Sequence, residues 1–210
     1  MSLRVWDERV VPRLTDWSLR SHEVGEMREV VCTGLTGRVL EIGFGSGLNV
    51  RWYPPEVTSV TAIEPSDLGW RLWARRRART TVPVERRGLD GQRLDEPDAS
   101  YDSALSTFTL CTVREPALSL AELRRVLRPG GVLCVLEHGL SPADRVARWQ
   151  RRLDPVQRRV AGGCHLSRDI PALVTHAGFE ITMLRAEPLP GPAVSRPWTH
   201  GFMLAARART

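Results

Sequence analysis

A doubly wound α/β sheet is the fold class this sequence predicts, and three observations predict it. From residue 37 onward, short apolar runs of strand length alternate with segments of helical periodicity. The first run ends in a cluster of three glycines, as a strand does on entering a tight loop. The second run ends on an acid, Glu64, 21 residues after the first glycine. Alternation of this kind implies parallel pairing through right-handed crossovers. The 210 residues suffice for one domain with a sizeable core and are too few for two full ones.

The elements follow in order. Residues 1–36 read as helical: Val24, Met27 and Val31 recur at helical spacing, Ser21 is an N-cap and Gly34 a stop. Upstream, Trp6 to Trp17 is weakly helical, with Pro12 interrupting it. Arg38 to Ile42 is the first strand, after which the glycine loop leads toward a helix. Ser59 to Ile63 is the second strand. A helix capped by Ser66 then buries Leu68, Leu72 and Trp73. Val82 to Arg86 and Tyr101 to Ser106 are the third and fourth strands. Pro116 opens a helix through Leu127 that buries Ala117, Leu120, Leu123 and Leu127, because a proline costs no hydrogen bond at a first helical position. Pro129-Gly130-Gly131 stops it and leads to a fifth strand, Val132 to Glu137. Residues 141–170 are amphipathic, Arg-rich and irregular. Asp169 to Ala177 is a helix closed by Gly178, and Glu180 to Arg185 and Phe202 to Arg207 are the last strands. Between them, Pro188 to Pro197 holds four prolines and reads as a loop.

Composition excludes several classes. Apolar residues at 42% and charged residues at 26% are ordinary for a globular chain and argue against disorder. No run approaches the ~18 apolar residues of a membrane span, and the N-terminus lacks the apolar centre of a secretory signal. The net charge of +6 invites a nucleic-acid reading, but all 30 basic residues are arginine, spread along the chain among acids. This is a compositional bias, and the densest run, Arg75, Arg76, Arg77 and Arg79, reads as a solvated helix face. The four cysteines, Cys32, Cys111, Cys134 and Cys164, form no CxxC pair and fit no zinc-ribbon or finger spacing. They read as reduced, packed thiols in a cytoplasmic protein. His22, His176 and His200 are dispersed, without acidic or cysteine partners at ligand spacing, so no metal site is expected.

The most informative stretch is Glu41-Ile42-Gly43-Phe44-Gly45-Ser46-Gly47. Glycines at a strand end let the backbone approach a ligand without Cβ clashes. The spacing is GxGxG, and Leu48 stands where the dinucleotide fingerprint has its third glycine. Glu64, at the end of the next strand, is placed to accept from both hydroxyls of a ribose.

Together these motifs resemble class I S-adenosylmethionine-dependent methyltransferases. Val39 to Gly47 is similar to that family's first motif, Glu64 to its ribose-binding acid, and Asp90-Gly91-Gln92 to its adenine-side segment. Leu123-Arg124-Arg125-Val126-Leu127-Arg128-Pro129-Gly130-Gly131 resembles the ubiquinone/menaquinone-type branch. Trp52-Tyr53-Pro54-Pro55, Thr109 to Val113, Glu137-His138 and Gly163 to Arg168 resemble the small thiol methyltransferases of animals, whose N-terminal hydrophobic anchor has no counterpart in residues 1–36. The resemblance implies a Rossmann-like seven-stranded sheet, mostly parallel with an antiparallel last strand. It implies S-adenosyl-L-methionine as cofactor, S-adenosyl-L-homocysteine as product, and a single domain. That domain divides into an N-terminal helical lid (1–36), a cofactor core (37–140), a substrate-side insertion (141–170), and a last helix with two strands (171–210). The implied cofactor contacts are Glu41, Gly43, Gly45, Gly47, Asn49, Glu64, Pro65, Asp90, Gly91, Gln92, Thr107 and Leu110.

In-line methyl transfer needs little more than a nucleophile held about 3 Å from the methyl carbon. His138, at the end of the fifth strand, is the candidate general base. Cys164-His165 is a weaker candidate, since neighbouring side chains point apart and no third orienting residue is visible. Trp6, Trp17, Trp149 and Trp198 are either packing residues or aromatic walls of an acceptor pocket. Cys111-Thr112 leaves a small, fairly apolar surface that suits a soft acceptor. The expected function is therefore methylation of a small apolar acceptor, a thiol in the first instance. The alternatives are O- or C-methylation of a phenol, quinone or lipid, and a nicotinamide-dependent oxidoreductase, which the missing GxGxxG disfavours. No nucleic-acid partner is expected, and the chain is expected to be a monomer or weak homodimer.

Overall fold

The computed structural model describes residues 6–189 and 195–209. Seven strands form one sheet in the order β3-β2-β1-β4-β5-β7-β6. They are β1 (Gly37–Ile42), β2 (Val57–Ile63), β3 (Val84–Gly88), β4 (Tyr101–Thr107), β5 (Leu127–His138), β6 (Phe179–Pro188) and β7 (His200–Ala208). The pairs among β1 to β5 are parallel, and β7 runs antiparallel to both β5 and β6. Parallel strands buried on both faces carry apolar side chains at consecutive positions, and β1 shows this. Val39 points into one cluster with α3 (His22–Cys32), Leu105, Cys134 and Met203. Leu40 and Ile42 point into the opposite cluster, beneath α5 (Pro116–Val126) and α7 (Ile170–His176), with Leu120, Leu123, Val135 and Val174. A third cluster of Phe44, Val50, Ala62 and Trp73 fills the space under α4 (Asp67–Trp73).

Caps set the helix starts. The Ser21 hydroxyl accepts from the Val24 N–H, the Ser66 hydroxyl from Gly69, and the Asp169 carboxylate from Ala172. Pro12 opens helix α2 (Val11–Ser18) instead of interrupting one, because it falls where the helix has no N–H partner to lose. A π-helical turn, α1 (Trp6–Val10), precedes it.

Several expectations are corrected. After the glycine loop the chain makes turns through Arg51 instead of a helix. β3 starts two residues later than expected, because Pro83 has no N–H to give the ladder and contributes only its carbonyl, to Val60. Ala117 is exposed, and Ser119 takes the buried place on α5. Arg75 to Arg79 lie on a turn and a 3₁₀ turn (Arg77–Arg79), not on a helix face, and Arg76 is partly buried. Most of the stretch read as irregular is a 17-residue helix, α6 (Asp144–Val160), with Pro155 inside it. The last strands are longer than expected. The proline-rich connection contains a short helix, α8 (Arg196–Thr199), and its residues 190–194 lie outside the described residues.

Candidate active site

The carboxyl ends of β2, β1, β4 and β5 follow one another along one edge of the sheet. A cavity of 660 Å³ opens there, lined by Gly43, Glu64, Thr109 and His138 at those strand ends. A smaller cavity of 180 Å³ adjoins it and shares Gly43, Glu64 and Phe108. This is where open α/β sheets bind ligands.

The glycine loop forms part of the smaller cavity's wall. Gly43, Gly45 and Gly47 have φ of 68°, 59° and 72°, a region that side-chain-bearing residues rarely adopt. A Cβ on Gly43 would strike Thr109, and one on Gly47 would strike Trp73. On Gly45 it would meet nothing closer than 3.8 Å, so the backbone there faces open space. Glu64 ties the loop down. Its Oε2 accepts from the Gly45 N–H at 2.5 Å and its Oε1 from Ser66 N–H at 2.6 Å. Burial raises the Glu64 pKa against these hydrogen bonds.

Behind the loop lies a polar network that the sequence only half revealed. Asn49 Nδ2 donates to Glu41 Oε1 at 2.8 Å and to Thr107 Oγ1 at 3.0 Å. The Tyr53 hydroxyl donates to Glu41 Oε2 at 2.5 Å. Arg28 Nη1 donates to Asn49 Oδ1 at 2.5 Å and to Thr107 Oγ1 at 3.1 Å. Burial pushes the Glu41 carboxyl up to about 7 and the Arg28 guanidinium down to about 10. Arg28 lines the smaller cavity, and its Nε is buried without a partner. No motif marks Arg28. The signal for it was an arginine on the same stripe of α3 as Val24 and Val31, where a surface arginine has no place.

Of the other expected cofactor contacts, Pro65, Asp90, Gly91 and Gln92 line the larger cavity. Gln92 donates to Asp90 Oδ1 through its N–H at 2.9 Å and its Nε2 at 3.1 Å, which holds the Asp90 pKa down. Asn49 and Thr107 line the smaller one. Glu41 lies beneath Asn49, fully buried, and Gly47 packs on Trp73. Leu110 lies in the core, where its N–H donates to Glu137 at 2.8 Å and its carbonyl accepts from Arg168 Nη1, so its side chain reaches neither cavity.

His138 ends β5, and the fold brings two distant thiols to it. Cys164 Sγ lies 3.7 Å from His138 Nδ1 and 3.7 Å from Cys111 Sγ. The Sγ–Sγ contact with Cys111 and the adjacent His138 pull the Cys164 thiol below its usual range, and the same contact pushes Cys111 up. Glu137 does not face the cavity. Its carboxylate accepts from Ser106 Oγ and from the N–H groups of Thr109, Leu110 and Cys111, which fixes the turn that carries Cys111. His165 points elsewhere, to Asp154 at 3.4 Å.

Two segments flank the larger cavity. Helix α2 lines it with Val11, Thr15 and Ser18, and the end of α6 with Gln157. Asp16 of α2 accepts from Ser46 Oγ in the glycine loop and pairs with Arg76 at 2.9 Å. Trp6 Nε1 donates to Val160 O at 2.8 Å, joining the N-terminal turn to α6. Trp17, Trp149 and Trp198 are all exposed, and of the three Trp198 lines the cavity.

The methyltransferase domain family matches residues 40–135, which contain the glycine loop, Glu64 and the Asp90 turn. Thiol S-methyltransferase TMT1B of Homo sapiens is 34% identical over 166 residues, covering 75% of this chain and 67% of that protein. The chain covers 64% of the length of the Rattus norvegicus protein of the same name. Phosphatidylethanolamine N-methyltransferase of Cereibacter sphaeroides is 32% identical over 157 residues, covering 72% and 69%. A geranyl diphosphate methyltransferase solved in complex with S-adenosylmethionine superposes with a TM-score of 0.68 at 13% identity, over 88% of this chain and 84% of that one, and so shares the fold. Relatives this similar over this much of their length settle the family: the chain belongs to the class I S-adenosylmethionine-dependent methyltransferases.

Proposed function

We propose that this protein transfers a methyl group from S-adenosylmethionine to the sulfur of a small apolar thiol. The residues at the two cavities suit the donor. The bare backbone at Gly45 offers a cradle that a Cβ would narrow. The unpartnered Nε of Arg28 matches an α-carboxylate, and Glu64 suits a ribose diol. Asp90, Gly91, Gln92 and Pro65, which line the larger cavity, suit the adenine side of the donor. When bound, S-adenosylmethionine supplies a methyl group already activated on a sulfonium, so the chain has to place the acceptor in line and keep water away. Helices α1 and α2 serve as the lid, and α6 covers the acceptor side.

One observation carries the choice of acceptor. The β5 end of the cavity is walled by Cys111, Cys164 and His138, while the acid beside them, Glu137, is fully engaged inside the protein. Such a wall favours a soft, uncharged acceptor over an amine or a phosphate. The likeness to the thiol S-methyltransferases agrees with it. His138 stands where the thiol proton has to leave. The Cereibacter sphaeroides relative supports a second reading, methylation of a lipid, and similarity to demethylmenaquinone methyltransferases extends it to a quinone. A direct assay separates the two: S-adenosylmethionine is offered with hexanethiol or thiophenol, and in parallel with catechol, a demethylated quinone or phosphatidylethanolamine vesicles. Thioether formation, detected by mass spectrometry, is the expected result. Product from the oxygen, carbon or lipid acceptors alone would overturn the thiol reading.

A further inference from the structure

Cys111, His138 and Cys164 come from the turn after β4, the last residue of β5 and the loop after α6. Their three ligand atoms lie within 4.8 Å of one another, and among the described residues they are the one such grouping. Zinc bonds thiolate sulfur at about 2.3 Å and imidazole nitrogen at about 2.0 Å, so a tetrahedral ion holds two sulfurs about 3.8 Å apart and sulfur and nitrogen about 3.5 Å apart. The separations here, 3.7 Å from Cys164 to each partner, meet both values within about 0.2 Å.

Distance alone would also suit two packed thiols, so the surroundings matter. His138 is 5% exposed, its Nδ1 faces the sulfur, and its Nε2 is buried without a hydrogen-bond partner. A neutral ring with its proton on Nε2 directs the Nδ1 lone pair at the thiols. The backbone around all three ligands is clamped. Glu137 holds the Cys111 turn, and the His165 N–H donates to Cys111 O at 2.8 Å, joining the Cys164 loop to that turn. Asp154 accepts from the Leu166 and Ser167 N–H groups at 2.6 and 3.0 Å. A site whose ligands are fixed in advance loses little entropy on binding an ion. All three residues also line the 660 Å³ cavity. Three protein ligands with one open side is the arrangement of catalytic zinc, whereas structural zinc is closed by four. Two thiolates and an imidazole favour zinc over hard cations such as magnesium.

We propose that Cys111, His138 and Cys164 bind one zinc-class divalent cation whose fourth position faces the cavity and takes the acceptor's sulfur as a thiolate. The second half rests on the thiol reading above. On binding, the acceptor's S–H bond breaks and its proton passes to solvent. The sulfur lone pair then forms the new S–CH₃ bond as the methyl's bond to the sulfonium breaks, and that electron pair stays on the sulfur of S-adenosylhomocysteine. The neutral thioether is a weaker ligand than the thiolate and departs. His138 is then a ligand and not the base. The sequence hid the site because its ligands are 53 and 26 residues apart, outside any local spacing pattern.

The test is a Co²⁺ titration of the full chain, reduced with a phosphine that leaves no competing thiol. One equivalent should bring sulfur-to-cobalt charge-transfer absorption and the intense visible bands of tetrahedral cobalt, and Zn²⁺ should abolish both. Cys164→Ser should weaken binding more than about 100-fold, beyond the 10–100-fold typical of losing an outer-shell partner. Cys134→Ala, in the core away from the cavity, should leave the affinity unchanged. Thiophenol should shift the visible bands and catechol should not. Absent charge-transfer absorption, bands that Cys164→Ser leaves intact, or bands that ignore thiols would each overturn the proposal. So would a Cys111–Cys164 disulfide whose reduction restores no Co²⁺ uptake. Chelator-stripped protein that methylates thiophenol at full rate would overturn it while the thiol reading stands. Metal-loaded protein that forms no thioether would sink the thiol reading itself.

Discussion

Glu64 shows how much one side chain can be asked to do. Its carboxylate pins the Gly45 N–H and the first turn of α4, and it lines both cavities. Glu64→Ala should weaken S-adenosylmethionine binding at least tenfold, because hydrogen bonds to a charged group are worth about 1.5–3 kcal/mol. Calorimetry beside a thermal melt checks this, and unchanged affinity in a folded variant would remove Glu64 from the site. Glu41 makes a different prediction. Burial raises its pKa in the folded protein to about 7 from 4.5, so the folded state binds its proton more tightly than the unfolded state does. The associated stability is present below the unfolded pKa and is lost as pH rises through about 7, a span worth about 3 kcal/mol. Urea unfolding at pH 5 and pH 8 should show a drop for the wild type that Glu41→Gln makes markedly smaller. Equal drops in both proteins would show that the carboxyl ionises elsewhere. The sequence singled out Glu41 and Glu64 through their spacing to the glycines, and Asn49 through the family resemblance alone. It concealed Arg28, which no motif marks and whose one signal is its place on the apolar stripe of α3 beside Val24 and Val31.

Elements were legible where one period dominated. β1, β4 and α5 fell within one residue of their expected places, since their apolar residues recur with the strand or helix repeat, whereas β5 starts at Leu127 with Pro129-Gly130-Gly131 inside it and not before it. Helix α6 was not legible: Pro155 interrupts it, and only Ala147, Gln150 and Asp154 are buried along it. Those three are four or three residues apart, a helical stripe written in small and polar side chains that hydrophobic periodicity misses. Gln150 works there as a brace, donating to Gly139 O at 2.9 Å and accepting from the Ser141 N–H at 2.8 Å, so α6 is fastened to the chain leaving β5. Helix α2 is fastened differently, through Asp16 to the glycine loop and Arg76. Asp16→Ala should cost the fold about 1.5–3 kcal/mol, because it removes charge-assisted hydrogen bonds and leaves the largely buried Arg76 without its acid. It should free α2 from the loop, speeding proteolysis near residues 10–20 and raising the KM for S-adenosylmethionine several-fold. Limited digestion with and without the donor measures this, and an unchanged cleavage pattern would mean the latch holds nothing.

At the scale of the whole molecule, the charge and the cavity carry different messages. Arginines are paired with acids across the surface, as in Arg125 with Asp98 and Glu122 and Arg86 with Asp67. Binding to generic DNA or RNA should therefore fade at moderate salt, where contacts made only to phosphates are screened. Tight, salt-resistant binding to a defined RNA in a filter assay would contradict this.

The cavity is assembled from parts of the chain that fold for different reasons, and this permits a sharper prediction. Its floor, at Gly43, Glu64 and His138, belongs to strand ends held by the two large clusters on either face of the sheet. One wall, helix α2, contributes no buried residue of its own and is held by Asp16 and by the Trp6 bond to α6. The floor should thus survive the loss of that wall. Deleting residues 1–20 should leave a cooperative unfolding transition within a few degrees of the full chain, because α3 and its packing on the sheet stay in place. The same deletion should open the cavity along Val11, Thr15 and Ser18 and admit water beside the reacting sulfur. Transfer to thiophenol should fall by at least about tenfold, the signature of a lost lid and not of a lost fold. S-adenosylhomocysteine affinity should fall less, since Gly45, Glu64 and Arg28 all remain. Full activity in the truncated protein would show that α2 is not a lid. A collapsed melting transition would show that it belongs to the core.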